Sequence, residues 1–316
     1  MLLYLVRHAQ TELNQDGIVQ GTLDPPLSSM GKQQAQRLAE WLRLVPLTQV
    51  WSSPLARAQE TAKAIVALQP RAKLHTDARL TTRGAGDAQG LRWDNICHDL
   101  AKYGVESEES VDERLHSFLS VLLTSHTPAS STTATPATPG LSSTSGTATP
   151  LTPGLAGISM NNAPIFDRAF SSVTTTANVN AKEKPGTVAG LPRPGMPRTP
   201  TTPAGAGLGT GVVLVVTHQE CLSSFLRILT APCPVPAGAG NGAKKPPIDL
   251  HVPETIDFKH AEGEDHGQVG NTSVAILRIW WEDEGDGKLE PRGRLEAWGS
   301  EEHLHDDDDE NDVEGK

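Results

Sequence analysis

Residues 5–14 read LVRHAQTELN and join an apolar run to two reactive side chains. The run begins at residue 2 as LLYLV, a pattern typical of a short strand that is covered on both faces. Arg7 and His8 follow it directly. Neutral imidazole is a nucleophile near physiological pH, and the guanidinium fork matches phosphate oxygens. The stretch therefore predicts a strand that presents a nucleophile and an anion-binding cation at its end.

Strand and helix patterns alternate along the rest of the chain. Helices are predicted at 28–45, 56–68, 110–123 and 221–229, and further strands at 48–53, 211–218 and 272–281. Ser28 or Ser29 is the expected N-cap of the first helix. This alternation predicts a layered α/β domain with a mostly parallel sheet.

Composition divides the chain into three kinds of segment. Residues 1–123 and 211–300 carry the apolar patterns of one folded domain, whereas 124–210 is dominated by Thr, Ser, Pro, Ala and Gly. A segment this poor in large apolar side chains cannot offset its ordering entropy, so it is expected to be a disordered insertion. Its Thr-Pro pairs indicate either simple low complexity or targets of proline-directed kinases. Residues 301–316 hold nine acids and one lysine, as expected of a disordered acidic tail.

The overall charge and the cysteines limit the classes of partner. The formal net charge is -11 and no basic stripe is present, so nucleic acid is not an expected partner. The three cysteines form no CxxC pair, which argues against a disulfide framework or a zinc site. No apolar run approaches the roughly 20 residues of a membrane span, so no membrane partner is expected. We expect a cytoplasmic protein.

The ends of the predicted strands collect the candidate site residues. Arg7 and His8 end the first strand, Arg57 opens the helix after the second, and His218 ends the strand after the insertion. Taken singly, such a histidine is more often a turn residue, and such an arginine a surface residue. If the strands are neighbours, however, both histidines and both arginines meet in one crevice at the carboxyl ends of the strands.

Six segments of the sequence resemble the histidine phosphatase superfamily, the phosphoglycerate mutase-like clan. LVRHAQTELN is similar to its signature, and the likeness continues in GIVQGTLDPPLSSMGKQQA (17–35), WSSPLARAQETA (51–62), VESEESVDERLHSFL (105–119), VVLVVTHQE (212–220) and NTSVAILRI (271–279). The resemblance implies a three-layer α/β sandwich. It also implies a phosphatase in which His8 becomes a phosphohistidine, while Arg7, Arg57, His218 and Asn14 hold the phosphoryl group. Neither a cofactor nor a metal is implied, and the expected substrate is a small phosphorylated molecule.

The expected proton-donor position departs from the family pattern. Members that cleave ordinary phosphate esters usually carry a proton donor in Leu-x-Glu-Arg, whereas this chain reads LTTRGAGDAQGL at 80–91, with Thr82 at the glutamate position. A threonine hydroxyl is too weak an acid to protonate an alkoxide. Glu220, Asp77 or Asp87 could replace the donor, and Glu220 is preferred because it follows His218 so closely.

Three functions are compatible with this pattern. The first is metal-independent hydrolysis of a phosphomonoester or related phosphorylated group through His8, with activity reduced by the missing acid. The second is a catalytically weak relative that binds phosphorylated ligands or serves as an interaction scaffold. The third is a sugar bisphosphatase of the fructose-2,6-bisphosphatase type, which needs further basic residues around the crevice. The basic residues with which mutases hold a bisphosphorylated acid are not evident, and this favours hydrolysis.

Overall fold

A sheet with helices on both faces forms the centre of the computed structural model, which describes residues 1–128, 211–230, 246–256, 269–285 and 287–305. The strands are β1 Leu2–Arg7, β2 Gln49–Ser52, β3 Lys73–Thr76, β4 Val212–Thr217, β5 Asp249–His251, β6 Val274–Asp283 and β7 Leu289–Ser300. Their order is β3-β2-β4-β1-β6-β7-β5. Among these described strands β6 alone runs against the others, so the predicted mostly parallel sheet is confirmed.

Helices cover both faces of this sheet. They are α1 Glu12–Gln15, α2 Ser29–Trp41, α3 Ala56–Ala67, α4 Glu108–His126 and α5 Gln219–Thr230. Apolar side chains of α2 and α3 share one buried cluster with alternate residues of β1 and β4. Those of α4 and α5 share a second cluster with the remaining residues of the same two strands. The arrangement is the three-layer sandwich that the sequence predicts.

The first strand shows why a continuous apolar run belongs in this position. Leu3 and Leu5 contribute to the α4 and α5 side, whereas Tyr4 and Val6 contribute to the α2 and α3 side. Successive side chains of a strand point to opposite faces, so a strand with both faces covered needs an apolar residue at every position. All four side chains are buried, and each contributes about 1.5–3 kcal/mol by leaving water.

The register of the central strands brings the candidate residues together. β1 pairs with β4 in parallel, and Arg7 lies opposite Thr217. The next residues are His8 and His218, and the His8 N–H donates to the Thr217 carbonyl at 2.9 Å. On the other side of β4, Ser52 lies opposite Val216, so the chain leaves β2 towards Arg57 at the same edge of the sheet. Segments about 200 residues apart in sequence thereby meet at the carboxyl ends of parallel strands.

Two described segments extend beyond the predicted bounds of the folded domain. α4 runs to His126 and so passes the predicted domain end at residue 123. Residues 301–305, which were assigned to the acidic tail, are folded: Glu302–Leu304 form a 3₁₀ turn, and His303 is only 8% exposed. This short acidic segment thus contains one buried histidine, which composition alone does not indicate.

Other parts of the chain were either not predicted or are not described. The strands β3, β5 and β7 were missed, and β7 contains Pro291 and two glycines, which are uncommon inside strands. The predicted disordered insertion from residue 129 onward and the acidic tail from residue 306 lie outside the described residues. No helix in the described part of the chain is long and apolar enough to span a bilayer.

Candidate active site

His8 is buried at the end of β1 with its tautomer fixed by one contact. Its Nδ1 lies 2.7 Å from the carbonyl oxygen of Ala9. Because a carbonyl oxygen only accepts, Nδ1 carries the proton and Nε2 keeps its lone pair. Burial lowers the pKa of His8 well below its ordinary value, and the cations of Arg57 and Arg7 lower it further. His8 is therefore a neutral imidazole with a free nucleophilic nitrogen near pH 7.

The second histidine lies beside the first. The rings of His8 and His218 are 5.1 Å apart at their centroids and meet edge to face at 61°. His218 Nε2 lies 2.8 Å from the hydroxyl of Ser53, while its buried Nδ1 has no hydrogen-bond partner among the described residues. Burial, followed by electrostatic coupling to the His8 ring, holds the pKa of His218 well below its ordinary value. Both imidazoles are thus neutral near pH 7.

Arg57, in the first turn of α3, is fixed by two backbone carbonyl oxygens of the segment 21–23. Its Nη1 donates to the Leu23 carbonyl at 2.8 Å and its Nη2 to the Gly21 carbonyl at 3.0 Å. The residue is 1% exposed, and burial lowers the pKa of Arg57 to about 10, a change that the carboxylates of Glu220 and Asp24 partly oppose. Arg57 is consequently a cation at neutral pH in a fixed orientation.

Arg7 is likewise fixed by hydrogen bonds, here to the segment before β6 and to α5. Its Nη1 donates to the Val269 carbonyl at 2.5 Å and to Gln219 Oε1 at 3.4 Å. Burial lowers the pKa of Arg7, against the opposing effect of Glu220 and Glu301. Within the described part of the chain, the buried Nε atoms of Arg7 and Arg57 have no hydrogen-bond partner. Each arginine therefore combines contacts that fix it with a donor that no described residue uses.

The Asn14 side chain contacts a residue close to it in sequence. Its Oδ1 accepts from the backbone N–H and the hydroxyl of Thr11, each at 3.1 Å, and completes a capping box on α1. With Oδ1 committed, only Nδ2 remains as a donor from this side chain. Its predicted contact with a phosphoryl group stays a prediction.

The replaced position and its favoured substitute touch each other. The hydroxyl of Thr82 lies 2.9 Å from Glu220 Oε2, although 138 residues separate the two in sequence. Glu220 is exposed in the first turn of α5, whereas Thr82 is 5% exposed. Arg114 fixes the Thr82 segment by donating from Nη2 to the Thr82 carbonyl at 3.0 Å. A carboxyl group thus lies directly beside the position where the resemblance expects the glutamate.

The other two candidate acids are placed differently. Asp77 forms an ion pair with Arg79, whose Nη2 lies 2.7 Å from Asp77 Oδ2. Hydrogen bonds from Arg79 lower the pKa of Asp77, so this carboxyl is ionised and cannot supply a proton near neutral pH. Asp87 is exposed on the 3₁₀ turn Gly86–Ala88. Glu220 remains the acid in contact with Thr82.

Three supporting residues were not identified from the sequence. Ser53 contacts His218, Thr61 accepts from the Ala9 N–H at 3.0 Å, and Asn271 Nδ2 donates to the His8 carbonyl at 2.9 Å. All three lie within segments that carry the family resemblance, so their motifs offered a signal. Their partners are far away in sequence, and no local pattern could have named them.

The assembled group has the properties of a phosphoryl-transfer centre. A neutral imidazole nitrogen is within the electrostatic influence of two fixed cations, and a second imidazole is in ring contact with the first. Transfer of a phosphoryl group mainly requires in-line placement and stabilisation of charge on its equatorial oxygens.

Comparison with known proteins agrees with this geometry. Residues 3–132 match the sequence profile of the Histidine phosphatase superfamily (branch 1). The chain is also 35% identical over 138 residues to "Putative phosphoserine phosphatase 2" of Hydrogenobacter thermophilus, which covers 39% of this chain and 68% of that protein. The chain belongs to the histidine phosphatase superfamily.

Two further members of the comparison define how far the likeness reaches. This histidine phosphatase family member is 42% identical over 92 residues to "Fructose-2,6-bisphosphatase TIGAR" of Xenopus laevis, or 28% of this chain and 34% of that protein. The crystal structure of phosphoglycerate mutase from Bacillus anthracis superimposes with a TM-score of 0.53 over 96% of this chain and 95% of the other, at 16% identity. The chain spans 34% of the length of the Xenopus laevis relative and 68% of the length of the Hydrogenobacter thermophilus relative. The likeness to the mutase structure confirms the fold.

Proposed function

We propose that the protein is a phosphatase that hydrolyses a small phosphomonoester through a phosphohistidine at His8. The observation that carries the proposal is the environment of His8 Nε2. The Ala9 carbonyl fixes the proton on Nδ1, Arg7 and Arg57 stand nearby as cations, and the His218 ring is 5.1 Å away. A phosphate dianion has there both a nucleophile and the charges that stabilise its transfer.

The proposed reaction has two steps. In the first, the lone pair of His8 Nε2 attacks phosphorus, the bond from phosphorus to the ester oxygen breaks, and that oxygen takes a proton from the carboxyl group of Glu220. In the second, water attacks phosphorus, the N–P bond breaks, and the water proton returns to Glu220. The products are the alcohol and inorganic phosphate, and His8 is again neutral. Arg7, Arg57, His218 and Asn14 hold the phosphoryl oxygens during both steps.

The assignment of Glu220 as proton donor is supported by its contact with Thr82. A threonine at the usual donor position leaves a place that Glu220 reaches from α5, two residues beyond His218. General acid catalysis supplies about 10²–10⁴-fold on a poor leaving group. We therefore propose that the donor has moved to another element of the fold and has not been lost.

Two guanidinium groups supply the positive charge, so the proposed reaction needs no metal. Two further carboxylates act on these cations: Asp24 opposes the lowering of the pKa of Arg57, and Glu301 does so for Arg7. Their negative charge is unfavourable for a second phosphate on the substrate. This favours a monophosphate over the bisphosphate alternative. The complete set of two histidines and two arginines favours an enzyme over a binding scaffold.

The test is a set of phosphate monoesters graded by the pKa of their leaving group. Wild type is compared with Glu220→Gln, and with Glu40→Gln as the matched control, because Glu40 is exposed on α2 beside Arg43. We expect Glu220→Gln to lose about 10²-fold or more in kcat on alkyl esters and much less on aryl esters, whose leaving groups need no proton. Equal losses on both would contradict the donor role. Phosphate binding without turnover of any ester would favour the scaffold.

A further inference from the structure

Thr272 lies two residues before β6, in a conformation that threonine rarely adopts. Its φ is 63°, in the left-handed region. Among the described residues, Thr272 is the only one other than glycine that has a positive φ. A β-branched side chain is strained there. The residue is nevertheless fully buried. Such a conformation persists only where the surrounding contacts enforce it, and residues of this kind are concentrated at functional sites.

The segment around Thr272 holds the backbone of Arg7, the last residue of β1, and of His8, which follows it. The Thr272 N–H donates to the Arg7 carbonyl at 3.1 Å, and the Arg7 N–H donates to the Ser273 carbonyl at 3.2 Å. Asn271 Nδ2 donates to the His8 carbonyl at 2.9 Å. The position of His8 thus depends on a loop that contributes no group to the proposed chemistry.

A chain of directed hydrogen bonds connects this loop to the C-terminal turn. The hydroxyl of Thr272 donates to the Asn271 carbonyl at 2.6 Å, which uses its single hydrogen. The contact of 2.9 Å between Thr272 Oγ1 and His303 Nε2 must then run from the histidine, so His303 donates from Nε2–H. The direction of the chain is therefore His303 to Thr272 to Asn271.

His303 is itself held in place by two further contacts. Its ring packs against Trp41 of α2, with centroids 6.0 Å apart. Arg37 of the same helix donates from Nη1 to the Leu304 carbonyl at 2.9 Å. The turn Glu302–Leu304 is therefore attached to α2 and can support the strained residue from outside the catalytic loop.

We propose that His303 is a positioning residue of the active site, and that it holds Thr272 in its strained conformation so that Asn271 and Thr272 fix His8 and Arg7. The proposal rests on the phosphatase function above, but it concerns a residue that touches neither substrate nor reacting atoms. It predicts that loss of the donor at residue 303 misplaces the nucleophile. A misplacement of about 1 Å can cost 10²-fold in rate.

The test compares variants that keep the hydrogen bond with variants that remove it. His303→Gln and Thr272→Ser retain a donor and a hydroxyl, whereas His303→Phe and Thr272→Val remove them and keep comparable bulk. With an aryl phosphate, which makes little demand on Glu220, we expect kcat to fall by about 10-fold to 10²-fold in the Phe and Val variants. KM should change by less, and the Gln and Ser variants should stay near wild type. The double variant His303→Phe/Thr272→Val should be no slower than either single variant, because both break one connection.

Two measurements separate positioning from a general loss of structure. Thermal unfolding is recorded for every variant, and Trp41→Phe serves as a control that disturbs the packing of His303 but leaves its hydrogen bond. Unchanged kcat in His303→Phe, or equal losses in the Gln and Phe variants, would overturn the proposal. Binding of inorganic phosphate, followed by the NMR signals of the His8 ring, gives a readout that is independent of turnover. We expect weaker binding in the Phe and Val variants alone, and equal binding in all variants would overturn the proposal even if the phosphatase assignment fails.

Discussion

Two loops at the same edge of the sheet differ in what they contribute. The loop after β1, residues 8–11, carries the proposed nucleophile and leads into α1, which carries the candidate phosphate ligand Asn14. The loop before β6, residues 269–273, carries no reacting group, yet it accepts from Arg7 at Val269 and donates to the carbonyls of Arg7 and His8. In the proposed mechanism the first loop supplies the nucleophile, and the second fixes the backbone that carries it.

The comparison teaches that side-chain identity and side-chain position are encoded in different parts of the chain. A histidine at a strand end is useful only if its backbone is fixed, because phosphoryl transfer depends on in-line geometry. Variants in the two loops should therefore fail in different ways. Removal of a group from the first loop should eliminate the reaction, whereas disturbance of the second should slow it.

The largest expected effect belongs to the first loop. His8→Ala should lower kcat/KM by about 10⁴-fold or more, the scale seen when a covalent nucleophile is removed. It should also abolish covalent labelling by a reactive phosphoryl donor, with little change in thermal unfolding. His98→Ala is the control, since His98 is exposed. Full residual activity in the His8 variant would show that another nucleophile is at work.

A smaller effect is expected when the second loop loses its contact with His8. Asn271→Ala removes the donor to the His8 carbonyl and should lower kcat about tenfold, as one lost hydrogen bond of about 1.4 kcal/mol implies. Labelling at His8 should persist, which distinguishes this variant from His8→Ala. Asn95→Ala, on an exposed turn, is the control. Complete loss of labelling would mean that the second loop is as essential for the reaction of His8 as the first, which would contradict the difference proposed between them.

His303, which supports the second loop in our proposal, should make the free energy of unfolding depend on pH. Burial, with smaller effects of His305 and Arg37, lowers the pKa of His303 to about 4. The unfolded chain takes up this proton near pH 6.5 and the folded chain only near pH 4, so stability falls as pH drops through that window. The slope from this group is at most about 1.4 kcal/mol per pH unit, less in practice because the side chain is partly solvated.

Unfolding in denaturant at several pH values measures this slope. In His303→Phe the free energy of unfolding should depend on pH less steeply between about pH 6.5 and 4, by up to one proton, because the titrating group is gone. Ser107→Ala, which changes the N-cap of α4 and removes no titrating group, should keep the wild-type slope. An identical slope in the His303 variant would indicate that His303 titrates normally in the folded protein.

The smallest effect should arise where neither loop is touched. Ser107 caps α4 by accepting from the Ser110 N–H at 3.2 Å, and Ser107→Ala should cost about 1 kcal/mol. That corresponds to a shift of about 2–4 °C in the melting temperature. kcat on an aryl phosphate should be unchanged. If this variant slows turnover as much as Asn271→Ala does, the slower rate of the latter reflects lost stability and not lost positioning.

Much of the fold could be predicted because it depends on local patterns. The run before Arg7 is apolar at every position because both faces of β1 are covered, and helical spacing places Leu115, Phe118 and Leu119 in one buried cluster. The missed strand β7 carries Pro291 and two glycines, so its sequence does not resemble a strand. Its conformation is imposed by pairing with β6, and propensity gives way to such tertiary contacts.

The sequence alone determined which residues could react, because side-chain chemistry and the burial period of each element are local properties. His8, His218, Arg7 and Arg57 could all be named in this way. Only the tertiary structure decided which of them meet, that Glu220 touches Thr82 across 138 residues, and that His303 supports a strained Thr272. The physical reason is that partners are chosen by strand register and helix packing, and these depend on how segments from the whole chain fill a shared core.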